Sequence, residues 1–353
     1  MISRTSAPPE SFPYPVVTLR RRSLADFIDS DAIETVVVGS SKDPNPKLTI
    51  LLIPEGNGQP RFALKVPTTD GAAAALEGEM RVLLALRGRC AEPVRSTIPR
   101  VVGQVDMGGH WGLLMNALPG VTMTRGYHGW RHTARPAAVA ADFALAAAWL
   151  AQFHRATAGP ATALEMDPGT SVLLARRYGA VAGTDRTLAD LAAIHARLRE
   201  HRTPRTAVHG DFWCGNLLIA DGAVSGVVDW EAGSVLGEPV RDLARFAFTY
   251  ALYLDRHTRP GHPVVGHRGL RSGSFGGGLV YAMEGTGWFP DLFRHFLQDG
   301  LARLGASPGC WRDAVLAGVA EVAATADHPG FASGHLQLFQ QLAGPSPPDG
   351  WPS

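Results

Sequence analysis

His209-Gly210-Asp211-Phe212-Trp213-Cys214-Gly215-Asn216-Leu217-Leu218, followed by Val227-Val228-Asp229-Trp230-Glu231, sets an aspartate, an asparagine five residues on and a second aspartate eighteen residues after the first. Two carboxylates and an amide oxygen at this spacing suit magnesium-dependent phosphoryl transfer. That chemistry asks a protein for positioning and charge neutralisation rather than covalent work. Mg²⁺ takes oxygen ligands, commonly one or two carboxylates beside phosphate oxygens and waters. Asp229 and Asn216 fit the metal, which leaves Asp211 to accept the proton of an attacking hydroxyl.

The flanking residues explain how the trio would meet. Leu217-Leu218-Ile219 has the composition of a short buried strand, Asp221-Gly222 is a two-residue turn signal, and 224–228 forms the return strand. Asn216 and Asp229 then stand at the open ends of one β-hairpin, close in space though thirteen residues apart.

His-Gly-Asp, an asparagine five residues on and a hairpin ending in Asp-Trp-Glu resemble the aminoglycoside phosphotransferase and choline kinase-like family. Gly237-Glu238-Pro239-Val240-Arg241-Asp242-Leu243-Ala244 matches that family's usual continuation. The resemblance is dense over 206–246. It implies an α+β, bilobal protein-kinase-like fold, with a small antiparallel-sheet lobe and a larger, mainly helical lobe. It implies Asp211 as catalytic base, Asn216 and Asp229 as Mg²⁺ ligands, and His209 and Asp242 as supports of the loop. Gly210 departs from the His-Arg-Asp of protein kinases, and Trp230-Glu231 from their Asp-Phe-Gly, which argues against a protein kinase.

A nucleotide site in this fold needs a strand lysine for the phosphates and a helix glutamate to hold it. Arg61-Phe62-Ala63-Leu64-Lys65-Val66 alternates as a strand, with Lys65 on the face opposite Leu64 and Val66. Among 33 basic residues only Lys42, Lys47 and Lys65 are lysines, and a compact ammonium suits a seat between phosphate oxygens. The apolar stripe of Leu76, Met80, Leu83, Leu84 and Leu86 predicts a helix over 72–87. By resemblance to the family's Glu-x-x-x-Leu pattern, Glu79 is the mate of Lys65, with Glu77 the fallback. Leu113-Leu114-Met115-Asn116-Ala117-Leu118-Pro119-Gly120 reads as a buried strand and turn. The resemblance makes it the hinge, with Met115 bordering adenine and the backbones of Asn116 and Leu118 meeting the base edge. Val36-Val37-Val38-Gly39-Ser40-Ser41-Lys42 runs into small residues whose amides could cover the phosphates, Gly39 and Ser40 foremost. It lacks a full Gly-x-Gly-x-x-Gly, and a plain hairpin connection is the other reading.

The composition of the 353 residues, 45% hydrophobic and 18% charged, describes a globular chain with an ample core. A net charge of +1 argues against a nucleic-acid-binding surface, which usually needs a concentrated basic stripe. Cys90, Cys214 and Cys310 have no ligand spacing and suit reduced thiols; Cys214 reads as a packed residue rather than a nucleophile. The amino terminus carries no apolar signal core, and no uncharged run has membrane-spanning length. A cytoplasmic protein without membrane or nucleic-acid partners is expected; no oligomeric state is implied. Expected divisions are a loose lead-in over 1–15, a nucleotide-binding lobe over 16–118, and a second lobe over 119–353 with the catalytic loop and acceptor-binding helices. Further helices are predicted over 136–157, with His154 a hydrogen-bonded core residue, and over 187–199, 290–304, 311–326 and 333–343. The stretch 255–278 reads as loop, Gly276-Gly277-Gly278 included, and His257, His262 and His267 as surface histidines rather than metal ligands.

The acceptor is the least legible part. From residue 251 to the end, eight acids face seven arginines among many histidines and aromatics, so the region is not acidic. A small-molecule hydroxyl acceptor that is not strongly polycationic fits best: a macrolide, a nucleoside-type antibiotic or a sugar alcohol. Glu231 and Glu284 are candidate acceptor contacts. ATP and GTP remain equal as donors, and a non-catalytic nucleotide-binding regulator of the same fold is the alternative.

Overall fold

Alternating apolar residues in 33–116 build a six-stranded sheet in the computed structural model, which describes residues 21–28, 33–40, 46–56, 58–107, 110–181 and 183–344. Its strands are Arg21–Arg22 (β1), Ile33–Ser40 (β2), Lys47–Pro54 (β3), Phe62–Pro67 (β4), Val101–Asp106 (β5) and Trp111–Asn116 (β6), ordered β1-β5-β6-β4-β3-β2. All pairings are antiparallel except that of the short edge strand β1 with β5. Because successive side chains point to opposite faces, Phe62 and Leu64 join Leu52, Val105 and Leu114 in a small core on one side. Lys65 faces the other side, where helix Asp70–Arg89 (α1) lays Leu76, Met80 and Leu83 against Leu113 and Met115. Thr69 caps α1 by accepting a hydrogen bond from the Ala72 N–H at 3.1 Å.

The remainder is mainly helical. After β7 (Val121–Thr122) and α2 (Met123–Tyr127) comes α3 (Pro136–Thr157), which spans the range its periodicity predicts. By length and composition α3 is apolar enough to cross a membrane, yet Phe143, Trp149, Leu150 and Phe153 are buried in the main core. A small ladder of Ala161–Ala163 (β8) with Arg202–Pro204 (β9) brackets helices Thr170–Tyr178 (α4) and Thr184–Arg199 (α5). Strand Thr206–Val208 (β10) leads into the loop over 209–216. Leu217–Ala220 (β11) and Ala223–Val227 (β12) form the hairpin, and Ser234–Gly237 (β13) pairs back with β10. Helices Val240–Leu252 (α6), Gly277–Glu284 (α7), Trp288–Arg303 (α8), Trp311–Thr325 (α9) and Pro329–Ala343 (α10) complete the chain. An antiparallel-sheet amino-terminal region with a mainly helical remainder is the fold class expected from the sequence.

Several local expectations are corrected. Gly277 and Gly278 open α7 instead of lying in a loop, because Leu279, Tyr281, Ala282 and Met283 are buried there. Helix α10 starts at Pro329, four residues early, with His328 Nδ1 accepting from the Phe331 N–H at 3.2 Å. His267 is buried, its Nε2 against the Thr133 carbonyl at 2.9 Å, and is not a surface residue. His257 instead meets His128 at 2.8 Å, and among the described residues no group of three or more His, Cys, Asp or Glu side chains gathers for a metal. The expected lead-in over 1–15 lies outside the described residues, as do Ser41 and Lys42.

Candidate active site

The hairpin turn forms as its residues dictate. Asp221 and Gly222 both have positive φ, 51° and 72°, the pattern of the turn that Asp-Gly favours between twisted antiparallel strands. Leu217 pairs with Val227, and the Val228 N–H donates to the Asn216 carbonyl at 2.9 Å, which extends the ladder to the open end. Asn216 and Asp229 are thereby held at the same end of the hairpin. Asp229 has φ 69°, a left-handed conformation uncommon outside glycine that aspartate adopts more readily than most residues.

The catalytic-loop segment is anchored from behind. Buried Asp242, in the first turn of α6, accepts the His209 N–H at 2.6 Å on Oδ2 and the Gly210 N–H at 2.8 Å on Oδ1. Its burial raises the carboxyl above its usual range, while His209, the two backbone donors and Arg241 pull it back. His209 Nδ1 accepts the Asp211 N–H at 3.3 Å, so its proton lies on Nε2, which donates to the Val228 carbonyl at 2.9 Å. One buried imidazole thus ties the loop to the strand that delivers Asp229. Gly210 has φ 79°, and a Cβ there would lie 2.1 Å from the Ala232 carbonyl oxygen. That geometry accounts for glycine where the related His-Arg-Asp pattern has arginine.

Asp211 and Asn216 face each other. The Asn216 Nδ2 donates to the Asp211 carbonyl at 2.9 Å and to its Oδ2 at 3.3 Å. The amide oxygen of Asn216 accepts no hydrogen bond among the described residues. Asp211 Oδ1 receives both Nε and Nη2 of Arg245, at 2.9 and 2.6 Å. The sequence reading missed Arg245. The available signal was its position three residues after Asp242, which puts both on the α6 face that meets the loop.

Lys65 joins the sheet to this loop. Its Nζ donates to Glu79 Oε1 and Oε2 at 2.7 and 2.8 Å and to Asp229 Oδ1 at 2.8 Å. Burial opposes the ammonium charge, but the Glu79 and Asp229 carboxylates outweigh it and hold Lys65 well above the usual lysine range. Burial likewise acts against ionised Asp229, yet Lys65, Lys47 and His209 bring its carboxyl down to about 2. Glu79 is fully buried and also accepts the Trp230 N–H at 3.2 Å, whereas Glu77 is exposed. Of the two candidate mates, Glu79 is therefore the one against Lys65.

The remaining candidates divide. Met115 is buried on the α1 side of the sheet. Asn116 sits at the end of β6, its backbone N–H on the Arg100 carbonyl at 3.1 Å and its side-chain oxygen accepting the Arg100 N–H at 2.5 Å. The Leu118 N–H has no hydrogen-bond partner among the described residues. Gly39 and Ser40, expected in a loop over the phosphates, lie in β2 instead, in register with Thr49 and Leu48. Glu231 is ion-paired with Lys47, and Glu284 with Arg312 at 2.6 Å. Each of these two acids is thus held by a cation of the chain itself. Beside Asp211 the structure sets Trp213 and Tyr253, ring centroids 6.4 Å apart, with the Arg256 guanidinium 5.5 Å from the Tyr253 ring. Cys214, adjacent in sequence, is buried, and burial together with the Asp142 charge pushes its thiol up to about 12. It is a packing residue.

The donor set suits a hard cation. Asp229 keeps Oδ2 without a partner among the described residues, and Asn216 offers its amide oxygen at the same hairpin end. Two protein oxygens, with substrate phosphates and water for the rest, match the preference of Mg²⁺.

The family model described as the phosphotransferase enzyme family matches residues 48–272. A search of curated proteins gave no match. Among solved structures, a thermostable mutant of aminoglycoside phosphotransferase APH(4)-Ia in ternary complex with AMP-PNP and hygromycin B is similar, with TM-score 0.55 and 12% identity, over 91% of this chain and 96% of that one. ADP-bound aminoglycoside phosphotransferase APH(2'')-Ib aligns with TM-score 0.50 and 16% identity, over 90% of this chain and 95% of that one. At these identities the likeness is one of fold.

Proposed function

The chain belongs to the phosphotransferase enzyme family, whose model covers its catalytic-loop segment and the hairpin, and on that premise we propose that it moves the terminal phosphoryl group of ATP or GTP onto a hydroxyl of a small molecule. The observation that carries this reading is the Lys65 ammonium bridging Glu79 and Asp229 at the hairpin end where Asn216 meets Asp211.

Each residue has a part in that reaction. Lys65, held by Glu79, presents its charge to the non-transferred phosphates, which exchange with the Asp229 contact. The Leu118 N–H and the backbone of Asn116 meet the base edge, with Met115 behind it. Asp229 and Asn216 would hold Mg²⁺, which when bound offsets charge on the phosphates. Asp211 accepts the proton of the acceptor hydroxyl on Oδ2, because Arg245 occupies Oδ1. His209 and Asp242 keep the loop in place. Transfer is in line and direct, by positioning and electrostatics.

Groups around Asp211 also bear on the acceptor. With Glu231 and Glu284 engaged elsewhere and Arg245 and Arg256 nearby, a polycation is disfavoured. The rings of Trp213 and Tyr253 suit an acceptor with apolar or ring surfaces, such as a macrolide or a nucleoside-type antibiotic. The test is a screen of hydroxylated antibiotics and metabolites with ATP and GTP, read as a mass gain of about 80 daltons, one HPO₃ unit. Asp211→Asn is expected to lower turnover by about 10²–10⁴-fold while nucleotide still raises the melting temperature. Turnover that survives Asp211→Asn overturns the assignment of the base. Nucleotide stabilisation with no acceptor gaining mass favours a non-catalytic regulator.

A further inference from the structure

Behind the catalytic loop, α3, α6 and α8 surround a cavity of about 280 Å³. Small-molecule pockets begin near this size, roughly 300 Å³. Its floor is apolar: Leu150 of α3, Leu243 of α6 and Leu304 after α8 are all buried. Its rim is cationic. Arg155 and Arg303 line it, both are exposed, and neither forms an ion pair or hydrogen bond among the described residues. The other arginines of α6, α8 and α9 (Arg241 with Glu321, Arg245 with Asp211, Arg294 with Asp291, Arg312 with Glu284) each have a carboxylate. No Asp or Glu lines this cavity.

His154 supplies the second observation. It lines the cavity, is only 7% exposed, and its Nε2 is buried without a hydrogen-bond partner. The sequence reading expected a satisfied core histidine. A buried polar atom without a partner is uncommon. Burial and the nearby Arg303 charge lower its pKa to about 3, so the ring is neutral at physiological pH and the site's charge comes from the two arginines.

Apolar walls below two unpaired guanidiniums select a ligand with the same polarity in reverse, an apolar body with an anionic head. Guanidinium groups pair with carboxylates through parallel N–H donors. We propose that this cavity is a binding site for a small amphipathic anion of the medium-chain carboxylate class, separate from the nucleotide and acceptor sites. Its ligand touches Leu243, the residue after the Asp242 that holds the loop backbone.

The experiment titrates the full chain with octanoate by calorimetry and follows its melting temperature. Hexanoate, 1-octanol and inorganic phosphate are run in parallel. Octanoate is expected to bind at one saturable site and to raise the melting temperature. Hexanoate should bind about 16-fold more weakly, roughly fourfold for each methylene withdrawn from the floor. The double variant Arg155→Gln/Arg303→Gln should weaken octanoate at least about tenfold, the loss of a charge-assisted contact, with basal transfer and nucleotide-induced stabilisation unchanged. Both arginines are exposed, so the variant tests binding rather than folding. Absence of saturable octanoate binding overturns the proposal. So does octanoate binding that the double variant retains in full, equal binding of 1-octanol, or equal binding of phosphate.

Discussion

At the scale of single residues, Asp211 and Lys65 differ in what their partners make of them. Asp211 is 30% exposed along its side chain and is gripped on one oxygen by Arg245. Removing Arg245 leaves a carboxylate that water can still solvate, so the fold should tolerate the change while the carboxylate loses its fixed direction. Arg245→Gln is expected to lower kcat by about 10²-fold, the scale of a 1 Å misplacement, with the KM for nucleotide little changed. A rise in nucleotide KM at constant kcat would instead put Arg245 on the donor side. Lys65 is different because Glu79 is fully buried. Lys65→Met strands that carboxylate and should cost about 3–5 kcal/mol in urea denaturation, as breaking one side of a buried ion pair does. An unchanged midpoint would mean that Trp230 N–H and protonation suffice for Glu79. Activity measurements on Lys65 variants therefore need a stability measurement beside them.

Secondary elements carry their own constraint through two glycines of opposite surroundings. Gly222, at the hairpin tip, has φ 72° and nothing within 4 Å of a built Cβ. Gly210 has φ 79°, and its Cβ would strike the Ala232 carbonyl. Gly222→Ala should cost about 1 kcal/mol of backbone strain and leave transfer intact, whereas Gly210→Ala must displace the loop and abolish transfer. Equal effects on activity would refute the idea that only the loop glycine shapes the site. The same contrast explains what was readable beforehand. The hairpin and α3 have strong local signals, an Asp-Gly turn between apolar strands and a long 3.6-residue periodicity, and they formed within the expected ranges. Lys65, Asn216 and Asp229 were singled out by strand alternation and hairpin spacing as well as by resemblance, and Glu79 and Asp242 by resemblance alone. Helix α7 was hidden because its first turn is glycine and its burial comes from α6 and α8, which no local pattern records. Arg245 was overlooked although it follows Asp242 by one helical turn, because that spacing gains meaning only once Asp242 is seen to face the loop. The pairing of Glu231 with Lys47 and of Glu284 with Arg312 was hidden as well, because the fold and not sequence spacing brings those cations to the acids.

For the molecule as a whole, the buried histidines give stability a direction with pH. His154 lies among α3, α6 and α8, and His335 on α10 donates Nδ1–H to the Phe331 carbonyl at 2.8 Å while its ring packs on Phe275 and Phe331. Burial lowers His154 to about 3, helped by Arg303, and His335 to about 4, despite its bond to Phe331. In the unfolded chain both titrate near the ordinary value of about 6.5. Between those values the unfolded state binds more protons than the folded state, so stability rises with pH through the window. It is fully present above about 6.5 and is lost as pH falls towards 4. Each histidine contributes a slope of up to about 1.4 kcal/mol per pH unit. Asp242 and Glu238, whose carboxyls burial raises, act in the opposite sense at the acid end, so a comparison with a variant isolates the histidine contribution. His335→Phe, placed among aromatic rings that accept another apolar ring, is expected to reduce the fall in urea midpoint between pH 7 and 5 without abolishing it, since burial also lowers His154, His267, His195 and His128. A wild-type midpoint that is flat over that interval, or a variant as pH-sensitive as the wild type, would mean that the folded protein admits the protonated imidazole and that the helical core around α10 opens before the rest of the molecule.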